Sequence, residues 1–208
     1  MVVSYVDDGA ILIAADSMAM AKDGLVETYE DCNRIAVGRG MGFNVIKTKW
    51  IGFGDRAWDG LDLGGLVKEP LDCLRVLEFF FNMFNNISDH VGYWLKRGLD
   101  VRRRILVMGR RFGENGLGAY GTYRLFQAVY LPTVYYGLEF VAGHRRLVQQ
   151  IQRHVNDCLR SLYRAPLLMT TNILLAEYGT VPVGIQGRYL QKKAVSRMVN
   201  YRYCELLP

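Results

Sequence analysis

Residues 4–16, SYVDDGAILIAAD, divide into two apolar runs around an acidic turn. Val2, Val3, Tyr5 and Val6 favour a strand, and Asp7-Asp8-Gly9 has the residue types that reverse a chain. The run Ala10-Ile11-Leu12-Ile13-Ala14-Ala15 reads as a second strand. The stretch therefore predicts a β-hairpin with two adjacent carboxylates, Asp7 and Asp8, at its tip. Like charges so close repel, and burial pushes carboxyl pKa values up. A divalent cation with oxygen ligands relieves both costs, and Mg²⁺ favours one or two carboxylates plus substrate phosphates.

Composition narrows the class. The 208 residues are 50% hydrophobic and 22% charged, enough apolar content for a sizeable core in one or two domains. No apolar run approaches the ~20 residues of a membrane span, so a membrane is not an expected partner. The start, MVVSYVDDGAIL, lacks a basic leader and does not read as a signal peptide. Cys32, Cys73, Cys158 and Cys204 are far apart and form no C-x-x-C pair, which favours reduced thiols in the nucleus or cytoplasm. His90, His144 and His154 show no ligand spacing with those cysteines.

Charge is unevenly spread. Residues 1–84 hold 8 Lys and Arg against 13 Asp and Glu, a net −5. Residues 85–208 hold 18 against 7, a net +11, and 15 of those 18 cations are Arg. Arg is the better fork for phosphate. An acidic, metal-seeking first part and a basic second part fit a nucleic-acid enzyme. A solvated basic surface without a ligand is the competing reading.

Along the chain, Asp16 or Ser17 can cap a helix running to about Arg39, with Glu27, Glu30 and Asp31 on its outer side. Residues 43–53, FNVIKTKWIGF, alternate like a strand that puts Lys47 and Lys49 on one face. Residues 52–70 read as a Gly- and Asp-rich loop, and 71–81, LDCLRVLEFFF, as a second hairpin. Helices follow over 87–96 and 101–112, parted by Gly98 and Leu99. The Gly-rich 113–121 reads as a turn. Residues 123–141 are strongly apolar, with Pro132 expected to kink or split them. An amphipathic helix spans 144–163, with Gln152 and Asn156 outward. Thr170 or Thr171 caps a short helix, and Pro182 opens a last one to about residue 203.

Three segments carry a family resemblance. Tyr5-Val6-Asp7-Asp8 resembles the aromatic-x-Asp-Asp motif of reverse transcriptases. Met41-Gly42-Phe43-Asn44-Val45-Ile46-Lys47-Thr48-Lys49 is similar to the G-hydrophobic-x-x-N-x-x-K-T segment of non-LTR (LINE-type) retrotransposon reverse transcriptases, in the style of fungal elements. Tyr130-Leu131-Pro132-Thr133-Val134-Tyr135-Tyr136-Gly137-Leu138-Glu139-Phe140 resembles the "lP…YG.E" segment of the same elements' thumb.

The resemblance implies an α+β fold, with a partial antiparallel palm sheet over 1–84 and a mainly α-helical thumb bundle over 85–208. It implies an RNA-directed DNA polymerase fragment in which Asp7 and Asp8 ligate Mg²⁺ or Mn²⁺, Lys47 contacts the phosphates and acts in catalysis, and Tyr5 lies beside the nucleotide. Arg102, Arg103, Arg104, Arg110, Arg111, Arg153 and Arg160 become candidates for the backbone of an RNA template/DNA primer hybrid. Glu78 stands where the family's primer grip has glycine. The palm strand with the partner aspartate lies upstream of the hairpin in this family. The chain by itself is therefore expected not to polymerise, and to need the N-terminal polymerase half or self-association. A non-catalytic nucleic-acid-binding module and an inactive relic are the alternatives.

Overall fold

The computed structural model describes residues 2–5, 8–54, 59–84, 86–111 and 117–204. The protein is mixed α+β and separates into two compact units, Met1–Asn86 and Ile87–Pro208.

The first unit begins with β1 (Val2–Tyr5) and β2 (Asp8–Ile11), paired antiparallel. Tyr5 is the direct partner of Asp8, and Ser4 of Gly9. The hairpin forms as the sequence predicts, but Asp8 and Gly9 are strand residues and not part of its turn. Asp7 lies outside the described residues. Helix α1 (Met18–Gly38) follows, and Ser17 rather than Asp16 is its cap, its Oγ accepting from Met20 N at 3.3 Å. Ala21 and Tyr29 are buried on its inner face, whereas Ile35 stands in solvent.

Two expectations fail in the next segment. Residues 43–53 do not form a strand. Asn44 Oδ1 accepts from Lys47 N at 3.2 Å, and Thr48 Oγ1 donates to Asn44 O at 3.0 Å. These local bonds offer the backbone a turn in place of a ladder. The predicted loop over 52–70 contains a small hairpin instead, β3 (Leu61–Asp62) with β4 (Val67–Lys68). It buries Leu61 and Leu63 beside Tyr29 and Trp50. Gly60 permits its close approach, because a Cβ there would lie 2.5 Å from Val67 Cγ1.

The hairpin expected over 71–81 is present as β5 (Cys73–Val76) and β6 (Phe79–Asn82), Val76 opposite Phe79. Its two turn residues, Leu77 and Glu78, have φ of +46° and +66°. Glu78 thus holds the left-handed conformation that glycine would adopt freely, with its carboxylate paired to Arg75. Among the described residues the three antiparallel pairs remain separate two-stranded sheets and do not merge into one palm sheet.

The second unit is helical. A single helix, α2 (Ser88–Arg111), runs through Gly98, where two helices were expected. Gly98 is buried, and a Cβ there would meet Val134 Cγ1 at 2.4 Å and His154 Cε1 at 3.1 Å. The glycine is a packing residue, not a break. Residues 113–116 of the turn expected over 113–121 lie outside the described residues, and α3 (Gly118–Leu125) begins within the rest of it.

The chain then widens into a π-helical turn (Phe126–Tyr130) before α4 (Leu131–Val134). Pro132 is the second residue after this wide turn. Proline lacks an N–H and crowds the preceding turn, so the change of helix type meets the expected break. Gly137, at φ +72°, leads into α5 (Leu138–Val141).

Helix α6 (Arg145–Tyr163) buries Ile151, Val155, Cys158 and Leu159 as its periodicity predicts. Asn156 is also buried, against expectation, donating to Thr171 Oγ1 at 3.4 Å. Gln152 Oε1 accepts from Val183 N at 2.8 Å. The side of α6 that reads as polar thus receives the two helices expected at the end of the chain, α7 (Thr171–Glu177) and α8 (Val183–Cys204); this docking is what no local pattern announces. The core is centred on Phe126, Tyr130, Val155, Cys158, Leu159, Leu174 and Val183.

Candidate functional site

In the first unit the chemistry-bearing residues sit on two local structures. The β1–β2 hairpin carries Tyr5 and Asp8 as direct partners across the ladder. Adjacent carboxylates are hard oxygen donors of the kind Mg²⁺ accepts. Asp7 lies outside the described residues, and among those described no three His, Cys, Asp or Glu side chains come together as a metal-holding group. Mg²⁺ on Asp7 and Asp8 would need its remaining ligands from water or from substrate phosphates.

Lys47 is on the turn over 44–48, not on a strand, and is exposed. Both sides of the peptide before it are held. Lys47 N donates to Asn44 Oδ1 and, at 3.0 Å, to Asn44 O, while Ile46 O accepts from Lys68 Nζ at 3.0 Å. The segment 67–71 runs alongside: Trp50 Nε1 donates to Lys68 O at 2.8 Å and Leu71 N to Trp50 O at 3.0 Å. Lys68 was not singled out by the sequence. Its partner is 22 residues away, and no motif joins the two.

In the second unit the candidate arginines differ in their surroundings. Arg103, Arg104 and Arg153 are exposed, and Arg103 pairs with Asp100 at 3.4 Å. Arg110 and Arg111 occupy the last turn of α2. Arg160 is tied into the bundle: it donates to Met169 O at 3.2 Å and stands 3.9 Å from Asp157. Arg102 is half-buried, and its charge is felt at Tyr130, His154 and Cys158.

Those three residues form a buried polar cluster. The Tyr130 hydroxyl lies 2.6 Å from His154 Nδ1 and donates to His154 O at 3.0 Å. With its one proton on that carbonyl, the hydroxyl accepts from Nδ1–H, which leaves Nε2 unprotonated. Burial first, and then Arg102, lowers the His154 pKa. Burial pushes the Cys158 thiol up to about 12 and raises Tyr130 above its ordinary range. The cluster is therefore neutral around pH 7 and holds no nucleophile. His90, buried near the start of α2, donates from Nε2 to Tyr136 O at 2.9 Å, and burial lowers its pKa. A half-open hollow of about 390 Å³ is lined by Thr122, Ser161, Tyr163 and Arg164 among others. Among the described residues no carboxylate, histidine or cysteine lines it.

No protein-family model, curated protein or solved structure matches this chain.

Among the described residues no helix is long and apolar enough to cross a membrane. Large apolar side chains nonetheless stand in solvent on both units, Ile46 in the first and Leu167 and Leu168 in the second. The arrangement offers an acid-bearing hairpin and a pinned lysine turn in one unit, and an arginine-rich helical surface in the other.

Proposed function

We propose that the chain is a palm-and-thumb fragment of a LINE-type reverse transcriptase, an RNA-directed DNA polymerase that works by two-metal nucleotidyl transfer. The observation that carries this reading is the antiparallel hairpin in which Tyr5 and Asp8 are register partners across the ladder. Support also comes from the Asn44, Lys47 and Thr48 residues of the second matching segment, which interact with one another in a single turn. Asp7 and Asp8 would hold Mg²⁺ or Mn²⁺, which supplies charge stabilisation to a transferring phosphoryl group. Lys47 would meet the nucleotide's phosphates, with Tyr5 beside them. Arg103, Arg104 and Arg153 would follow the backbone of a template–primer hybrid, a contact that ignores sequence and weakens steeply with salt.

Non-catalytic binding by the helical unit is a second reading, favoured by the exposed Arg103, Arg104 and Arg153 of its helices. Mn²⁺ titration of the protein with an RNA/DNA primer–template, followed by water-proton relaxation, separates the two. The polymerase reading expects a Mn²⁺ site that disappears in D7N/D8N while hybrid binding persists. Equal Mn²⁺ titrations for the native chain and D7N/D8N would overturn it. Hybrid binding whose salt slope flattens in R103A/R104A would then leave the binding module standing.

A further inference from the structure

We infer that Lys68 is a positioning residue for Lys47, acting through the peptide that joins Ile46 to Lys47; this rests on the reading of Lys47 as a phosphate contact. A lysine side chain reaches a phosphate reproducibly only if the backbone that carries it has one orientation. An exposed turn does not guarantee that, because each unfixed residue retains backbone freedom. Here the joining peptide is fastened at both of its polar groups. Its N–H donates to Asn44 Oδ1 at 3.2 Å, and its carbonyl accepts from Lys68 Nζ at 3.0 Å. A carbonyl held by an ammonium is held by a charge-assisted bond, stronger than a neutral one.

Lys68 is itself held. It ends β4, paired opposite Leu61 of β3, and Leu61 is in the core beside Trp50. The Lys68 carbonyl accepts from the Trp50 indole at 2.8 Å, and Trp50 is buried. The path from core to turn is thus Trp50, Lys68, Ile46 carbonyl, Lys47. Asn44 holds the turn from within, whereas Lys68 refers it to the rest of the unit. Lys68 is outside the three segments quoted for the family resemblance, 5–8, 41–49 and 130–140.

The test measures inorganic tripolyphosphate binding to the full chain by ³¹P NMR at fixed low ionic strength. It compares the native protein with K47M, K68M, K68R and K47M/K68M. Loss of one charge-assisted bond should weaken binding by about fivefold in K68M. K68R, which can still donate to Ile46 O, should stay within about twofold of native. K47M/K68M should bind no more weakly than K47M, because a positioning residue has nothing left to position. Native affinity in K68M would overturn the inference while leaving Lys47 in place. A double variant weaker than K47M would overturn it too, by making Lys68 a direct phosphate contact. Native affinity in K47M, or no binding by the native chain, would remove the Lys47 reading and this inference together. Far-UV circular dichroism and amide exchange at Lys47 and Thr48 accompany each variant. The expected pattern is faster exchange at those two amides in K68M with the spectrum unchanged.

Discussion

Two glycines of helix α2, Gly92 and Gly98, are in opposite situations, and the same substitution should leave the protein less stable at Gly98 than at Gly92. Gly92 is exposed, and a Cβ there meets nothing within 4 Å. Gly92→Ala should therefore add only the helix-propensity gain, about 1 kcal/mol. Gly98→Ala gains the same amount but drives its methyl to 2.4 Å from Val134 Cγ1 and 3.1 Å from His154 Cε1. Neither neighbour yields easily. Val134 is 3% exposed, and the His154 ring is held by the Tyr130 hydroxyl. Overpacking of this kind costs about 1–3 kcal/mol. The propensity term cancels between the two variants, so their difference isolates the clash. For a unit of this size about 1 kcal/mol corresponds to about 4 °C in Tm. Thermal melts followed at 222 nm should therefore put G98A about 4–12 °C below G92A, with G92A above the native protein. Val134→Ala should suppress part of the G98A loss, since it removes the nearest methyl. A G98A melt that rises together with G92A would refute the close approach of α2 to α4 and α6.

The β5–β6 turn should respond to residues suited to its backbone. Replacing Leu77-Glu78 by Asn-Gly removes left-handed strain of about 1 kcal/mol per residue. The Arg75–Glu78 pair lost with it is nearly half exposed and worth a few tenths at most, roughly. Amide exchange across β5 and β6 should slow about fifteenfold, and faster exchange would count against the turn geometry. A second expectation concerns pH. His90 and His154 both have pKa values lowered below 6.5 by burial. Their neutral forms cost the fold nothing above that pH; below it the unfolded chain takes up protons that the folded chain resists. The Tm should hold steady from about pH 8 to 7 and fall below about 6.5, less steeply in H90Q or H154Q. A Tm that is flat or rising on acidification would contradict the buried neutral imidazoles.

Much of the local structure was legible because it is encoded locally. The β1–β2 hairpin, α1 and its cap, the β5–β6 pair and the buried face of α6 each depend on residues within a few positions of one another. What escaped the sequence depends on distant partners. Gly98 reads as a helix break until Val134 and His154 are seen against it. Asn156 reads as a surface residue until Thr171 reaches it. Residues 43–53 alternate like a strand, yet Asn44 closes a turn with its own side chain, accepting from Lys47 N. The β3–β4 pair is only two residues long in each strand, too short for periodicity to register. The candidate site follows the same rule. Asp7, Asp8 and Lys47 were visible as motif residues, whereas Lys68 became visible only as the hydrogen-bond partner of Ile46. Among the arginines, periodicity could not separate the exposed Arg103, Arg104 and Arg153 from Arg102 and Arg160, which are drawn into the bundle.

The three separate ladders of the first unit also bear on how it is made. Each pairs strands that are next to each other in the chain, through connections of two to four residues. Closing so short a loop sacrifices little chain entropy, and contacts of short range form fast. Each hairpin can therefore close soon after its own residues leave the ribosome, without waiting for a strand still to be synthesised. The slow step left to this unit is the gathering of Tyr29, Trp50, Leu61 and Leu63, the few side chains that join its pieces.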